Sequence, residues 1–301
     1  MTSTTNALHA HPRTALPLAL VRGIGQIMLQ SNGWTGLLFL LGLLVGNWQV
    51  AVGTLIGAAV GTLTAYALRF DAQGITNGLY GFSPALVGAA AVFFFGLNLP
   101  AVVLGVVGAA VAAWLQCTLA QRKVAAYTLP FAVVAWVVHV VGVYGLGLAN
   151  AADVQPLVDL PVGAWAALFN GIGQVIFQGA PVAGLLFVIG LAMAGAVPAA
   201  AGVLGALIGI LLAILTGQAQ ADIALGLFGY NSALAAITLA GQPARTAWAA
   251  VCWVVVAAVV AFILHLFFRQ FTGMAMLGGV LTSPFVVAVW VVAGLRRMVN
   301  A

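Results

Sequence analysis

Long apolar runs broken by short polar, glycine-rich stretches fill the chain, and the lengths of those runs predict its class. Leu99 to Leu119, Val124 to Leu148 and Ala247 to Phe268 each approach or exceed the roughly 20 residues that a helix needs to cross a bilayer. Trp34 to Val52 reads as a further span and Gly53 to Leu68 as another, rich in Gly and Thr, while Ala15 to Gln30 is only moderately apolar. Continuous runs predict an α-helical bundle, because a membrane β-barrel would show shorter segments of alternating polarity. The breaks RFDAQGITNGLYGFSP and TGQAQADIALGLFGYNSAL are too short and polar to span. Such segments predict half-helices that enter the membrane and stop near its middle. Irregular backbone at that depth is tolerated only where it lines a cavity or is buried in protein.

The pattern occurs twice. GIGQIMLQSNGWTGLLFLLGL at Gly23 to Leu43 returns as GIGQVIFQGAPVAGLLFVIGL at Gly171 to Leu191, with Gln26 and Gln174 standing at the same place in otherwise apolar runs. GLYGFSPAL (Gly78 to Leu86) returns as GLFGYNSAL (Gly226 to Leu234), and TLPF (Thr128 to Phe131) as TSPF (Thr282 to Phe285), the last pair displaced by a few extra residues. A repeat of about 150 residues is far longer than a solenoid unit. One that spans half of a membrane protein is the mark of a transporter or channel built about a pseudo-two-fold axis.

Composition sharpens the class. The chain is 64% hydrophobic and 4% charged, with mean hydropathy +1.19, whereas a soluble domain carries roughly a quarter charged residues. Its 37 glycines suit close helix contacts in lipid. The net charge of +5 is scattered over loops and ends, which speaks for membrane orientation and against nucleic-acid binding. Cys117 and Cys252 sit in apolar runs with no CxxC spacing, and so read as inert helix residues.

Residues 1–13, with His9 and His11, are expected to form a disordered, solvated tail ahead of an uncleaved first helix. A first membrane repeat is then assigned to 14–148, a linker to 149–163 and a second repeat to 164–301. The linker holds Asp153 and Asp159 and no Lys or Arg, whereas Arg296 and Arg297 stand near the C-terminus. The positive-inside rule therefore places the linker outside, in the periplasm of an inner-membrane protein, and both termini in the cytoplasm. Each half then crosses an odd number of times, most simply five, and the second half is inverted relative to the first.

Candidate chemistry is neutral. Glu is absent, Asp71 and Asp222 lie at segment ends, and His139 and His265 have no repeated partner, so both histidines read as helix-packing residues. Ser83 has Asn231 as its counterpart and no histidine placed to activate it. No catalytic constellation, metal set or cofactor motif is expected. What the halves repeat are the amides of Gln26 and Gln174, the hydroxyls of Thr128 and Thr282, and flat or bulky apolar pairs: Phe82 with Tyr230, Leu86 with Leu234, Leu29 with Phe177. A narrow slot with apolar faces and an acceptor edge would select a small planar molecule with N–H groups on its rim. Singly, each residue has a plainer reading: a membrane Gln can bond a neighbouring helix, a helical Thr can bond its own backbone, and Phe or Leu can simply pack.

In this order and twice over, the GIGQ, GxxGF/GxxGYN and TxPF segments resemble the urea transporter family, from about Leu16 to Val292. The resemblance implies an all-α membrane protein of ten transmembrane helices in two inverted halves, with half-helices in each, a pore within each protomer and a homotrimeric assembly in lipid. It implies passive, channel-like passage of urea, with Gln26 and Gln174 as pore glutamines and Thr128 and Thr282 at the centre. The slots would be Leu29, Phe82 and Leu86 in one half and Phe177, Tyr230 and Leu234 in the other. The sequence departs from the family where Ser83-Pro84 and Leu29 replace the usual Asn and aromatic, which predicts one pore end less aromatic than the other. Asn32 and Pro181 each keep part of an NP pair. Alternatives are a channel for another small neutral solute (a short amide, ammonia or water) and a non-transporting membrane scaffold.

Overall fold

The computed structural model describes residues 12–151 and 163–300. Most of the expected tail, with His9 and His11, and most of the expected linker, with Asp153 and Asp159, lie outside the described residues. Those described form helices and turns only. The first half runs α1 (Pro12–Gly25), α2 (Gly33–Ala67), α3 (Ala72–Thr76), α4 (Phe82–Phe95), α5 (Leu99–Gln121) and α6 (Leu129–Val140). The second runs α7 (Ala164–Gly173), α8 (Pro181–Ala194), α9 (Ala196–Leu215), α10 (Gln220–Ala224), α11 (Tyr230–Ala240), α12 (Ala247–Arg269), α13 (Thr272–Met276) and α14 (Ser283–Asn300). The extra residues ahead of the second TxPF copy form α13, which has no counterpart in the first half.

Among the described residues four helices are long and apolar enough to cross a bilayer alone: Gly33–Ala67, Leu99–Gln121, Ala196–Leu215 and Ala247–Arg269. Other apolar segments are broken or short, among them Trp165–Ile176 and Pro181–Ala194, bent by 74°, and the helix Phe82–Phe95. Within α2 the break falls at Asn47 (φ −152, ψ 97), earlier than the boundary near Val52 that the apolar runs suggest. The Asn47 side chain accepts from the backbone N–H groups of Gln49 and Val50 at 3.1 and 3.3 Å. That caps the second segment of α2 and lets a new helix start inside an apolar run.

The inversion of the halves follows from how equivalent segments touch. The first part of α2 lies against α8, its match in the second repeat. Phe39 and Phe187, equivalent positions, meet with ring centroids 4.9 Å apart. Toward one end Thr35 Oγ1 donates to Gly190 O at 2.7 Å, and toward the other Gly46 faces Ala183 and Gln178. Numbers rise along one helix as they fall along the other, so the two are antiparallel. Equivalent helices packed antiparallel through equivalent residues are related by a two-fold axis perpendicular to both. For helices that cross a bilayer, that axis lies in the membrane plane, which defines an inverted repeat.

Close backbone approach fixes the half-helices in place. Gly78 (φ +79) and Gly226 (φ +77) hold matching left-handed turns, and a Cβ on either would overlap the backbone of Gly23 or Gly171 respectively. Only glycine suits both constraints. The turn ahead of each half-helix is thereby seated on the helix that leads into Gln26 or Gln174.

Candidate functional site

Two chambers lie between the halves. The smaller, about 220 Å³, is lined by Gln26, Leu29, Leu79, Phe82, Gln116, Tyr127, Thr128 and Phe285 among others. The larger, about 430 Å³, is lined by Phe93, Phe94, Phe131, Gln174, Phe177, Tyr230 and Thr282 among others. Thr128 faces one chamber and Thr282 the other, and their hydroxyls touch at 2.6 Å, both residues being buried. Gln26 and Thr128 thus line one chamber and Gln174 and Thr282 the other, with the threonine pair between them.

Each glutamine is oriented by its own half. Gln26 stands in the 3-10 turn Gln26–Met28 and its Nε2 donates to Asn77 O at 3.1 Å; Gln174 stands in the 3-10 turn Gln174–Ile176 and its Nε2 donates to Leu225 O at 2.9 Å. In both, the acceptor is a carbonyl 51 residues on. Turning either amide over would set two oxygens against each other, so the nitrogen is held by the backbone and Oε1 is the atom left to accept from a solute. Leu29 (φ 62) and Phe177 (φ 56) then turn the chain in the left-handed region, a conformation that costs about 1 kcal/mol or more for a non-glycine residue. Both halves keep it.

The threonines differ from their neighbours. Thr54, Thr62, Thr118, Thr216 and Thr238 bond the carbonyl four residues back in their own helices, the ordinary habit of a helical threonine. Thr128 and Thr282 sit instead at helix entrances, each after a left-handed residue, Tyr127 (φ 46) or Leu281 (φ 48), and bond each other. One hydroxyl donates to the other, which leaves a proton and lone pairs free to bond a small polar molecule.

Two tryptophans absent from the sequence reading clamp these entrances across the halves. Trp136 Nε1 in α6 donates to Gly279 O at 2.9 Å, and Trp290 Nε1 in α14 donates to Ala125 O at 2.7 Å. The two bonds are equivalents under the repeat, each half holding the stretch that leads to the other's threonine. The second entrance has further support: Asn231 Nδ2 donates to Leu281 O and to His265 Nδ1, Asn231 Oδ1 accepts from Phe285 N, and Tyr230 Oη donates to Leu281 O at 2.8 Å. At the matching place in the first half, Ser83 Oγ makes one long contact of 3.5 Å to Gln116 Oε1. His265 is thus a structural hydrogen-bond partner at the chamber wall, and His139 packs at 4.8 Å against Phe94 with Nδ1 3.2 Å from Met276 O.

The walls are flat at one end and mixed at the other. Phe177 stacks on Phe93 at 4.7 Å and meets Phe94 and Phe131 edge-on at 6.2 Å, while Leu29 at the equivalent place gives the smaller chamber an aliphatic lining residue beside the aromatic Phe82, Tyr127 and Phe285. Of the residues read from sequence, Gln26, Leu29, Phe82 and Thr128 meet in one chamber and Gln174, Phe177, Tyr230 and Thr282 in the other. Leu86 and Leu234 are fully enclosed in the apolar core and line neither chamber. Arg269, at the rim of the larger chamber, is paired with Asp222 at 2.6 Å and lies over Phe228.

Compared with known protein families, residues 18–297 match the family described as "Urea transporter". Among curated proteins the chain is similar to urea transporter 1 of Capra hircus, Ovis aries and Mus musculus, with 28% identity to each over 246 residues. Each alignment covers 76% of this chain and 64% of the relative, so the chain spans less than two thirds of the length of these relatives.

Proposed function

The chain belongs to the urea transporter family, and from that premise we propose that it conducts urea passively across the membrane through the two chambers and the threonine pair between them. The observation that carries this reading is the set of oriented acceptors, Gln26 Oε1, the paired hydroxyls of Thr128 and Thr282, and Gln174 Oε1, shared between two chambers with largely apolar walls. Urea is planar, uncharged and rimmed by four N–H groups. A solute that sheds water in an apolar passage loses hydrogen bonds that cost a few kcal/mol unless replaced. The acceptors replace them in turn, while the apolar walls give an ion nothing in exchange for its hydration shell.

No step in this reading consumes energy. The described lining residues of the two chambers include no carboxylate on which a proton or sodium ion could ride, and the cation at the rim, Arg269, is neutralised by Asp222. The protein acts as a conduit and not as an enzyme. The smaller chamber adjoins a basic rim carrying Lys123, Arg296 and Arg297, which supports a cytoplasmic position for that mouth in a bacterial-type inner membrane, with both termini on the same side. Assembly as a homotrimer, with lipid around the protomers, rests on the family resemblance.

A flux panel tests the reading. Proteoliposomes holding the chain are expected to pass urea well above empty liposomes, and urea faster than acetamide. Faster passage of acetamide or ammonia than urea would move the assignment to that solute, and no flux of any of them would leave a scaffold.

A further inference from the structure

At the mouth of the smaller chamber lies another cavity, about 740 Å³, which shares Ala125 and Tyr127 with the chamber wall. Lys123, Arg296 and Arg297 line it together with Gln242 and Trp290. The two outer cations have an ordinary explanation, since basic side chains at helix ends reach toward water. Arg296 does not. It is only 6% exposed, and its Nη1 is buried without a hydrogen-bond partner. Among the described residues the carboxylates are Asp71, which caps the Gly74 N–H, and Asp222, which is paired with Arg269. Neither neutralises this cluster. A guanidinium withdrawn from water is retained where something anionic meets it.

We propose that this cavity is an oxyanion site for the phosphate of an anionic membrane lipid, with Arg296 as the buried anchor and Lys123 and Arg297 as outer charges. Phosphate matches the donor set: guanidinium forks take two phosphate oxygens at once, and the ammonium of Lys123 adds a point charge. A lipid is favoured over free phosphate by the surroundings, because the same stretch of α14 exposes Trp290 at 40%, Leu295 at 42% and Met298 at 70%, apolar surface that acyl chains would cover. The Trp290 indole N–H is already committed to Ala125 O, so its ring remains as a wall. The occupant would lie against Ala125 to Tyr127, the stretch leading to Thr128, and the site is independent of which solute permeates.

The test measures lipid retention on the purified full chain. Native mass spectra of the wild type are expected to keep phosphatidylglycerol and lose phosphatidylcholine, and thermal melting to rise with the first and not the second. Arg296→Gln is expected to weaken phosphatidylglycerol retention about tenfold, the loss of one charged hydrogen-bonding group. Should that variant fail to fold, Lys123→Gln with Arg297→Gln alters only outer residues, and retention is expected to fall several-fold. Equal retention of the two lipids by the wild type, or unchanged retention in the outer double variant, would overturn the site. Protection by inorganic phosphate equal to that by phosphatidylglycerol would overturn the lipid assignment in favour of a free anion.

Discussion

Replacing both central threonines by valine isolates what the hydroxyls do. Valine keeps nearly the volume of threonine and deletes the oxygen, so the Thr128→Val, Thr282→Val variant removes the 2.6 Å bond and both groups a solute could meet between the chambers. A net hydrogen bond to a neutral solute is worth about 0.5–1.5 kcal/mol. Two such bonds lost at the barrier, at about 1.4 kcal/mol per factor of ten, lower urea flux by roughly fivefold to a hundredfold. Stability should follow a different order. Either single variant leaves a buried hydroxyl without its partner, a loss of about 1–3 kcal/mol, whereas removing both partners is close to neutral. The single variants should therefore melt below the double variant, and the double variant near the wild type. Stopped-flow light scattering on proteoliposomes reads the flux, and thermal unfolding in detergent reads the order of stabilities. A folded double variant with wild-type urea flux would refute the reasoning and leave the threonines as a structural contact only.

Other substitutions separate the remaining parts. Gln174→Leu removes the acceptor of the larger chamber and the donor to Leu225 O, and is expected to cut urea flux by about threefold to tenfold, with Gln26→Leu similar on the other side; matched flux measurements check both. Asn231→Leu strands the partners at Leu281 O, His265 and Phe285 N and should cost about 3 kcal/mol or more, whereas Ser83→Ala, losing one 3.5 Å contact, should cost well under about 1 kcal/mol; melting temperatures decide. Trp290→Phe keeps an aromatic ring and frees Ala125 O, with an expected loss of about 1 kcal/mol of stability and reduced flux although neither glutamine nor threonine has changed.

Much of the candidate site was legible because the chain repeats its motifs. Gln26 and Gln174 stand out as equivalent amides in apolar runs, and the structure gives them equivalent bonds, to Asn77 O and Leu225 O. Thr128 and Thr282 are equally visible as a pair, and an inverted repeat has only a few places where equivalents can meet. What depends on the third dimension was hidden. Leu86 and Leu234 are visibly equivalent, but nothing in the motif shows that one helical turn past Phe82 and Tyr230 the side chain faces the core. Asn231 reads only as the counterpart of Ser83, since its partners Leu281 and Phe285 lie some fifty residues on and become neighbours only when α11 packs beside the entrance to α14. Trp136 and Trp290 did leave a signal: AWVV after Phe131 and VWVV after Phe285 extend the repeat past TxPF. The break of α2 at Asn47 was masked by an apolar run that continues on both sides of a capping residue.

The central claim, a passive passage for urea, is tested most directly by the endpoint of uptake. Labelled urea should enter proteoliposomes containing the wild-type chain at a rate proportional to its outside concentration. It should level off when inside and outside concentrations are equal, whether or not sodium, a proton gradient or an uncoupler is present. Accumulation above the outside concentration, or uptake that collapses with the uncoupler, would contradict the account.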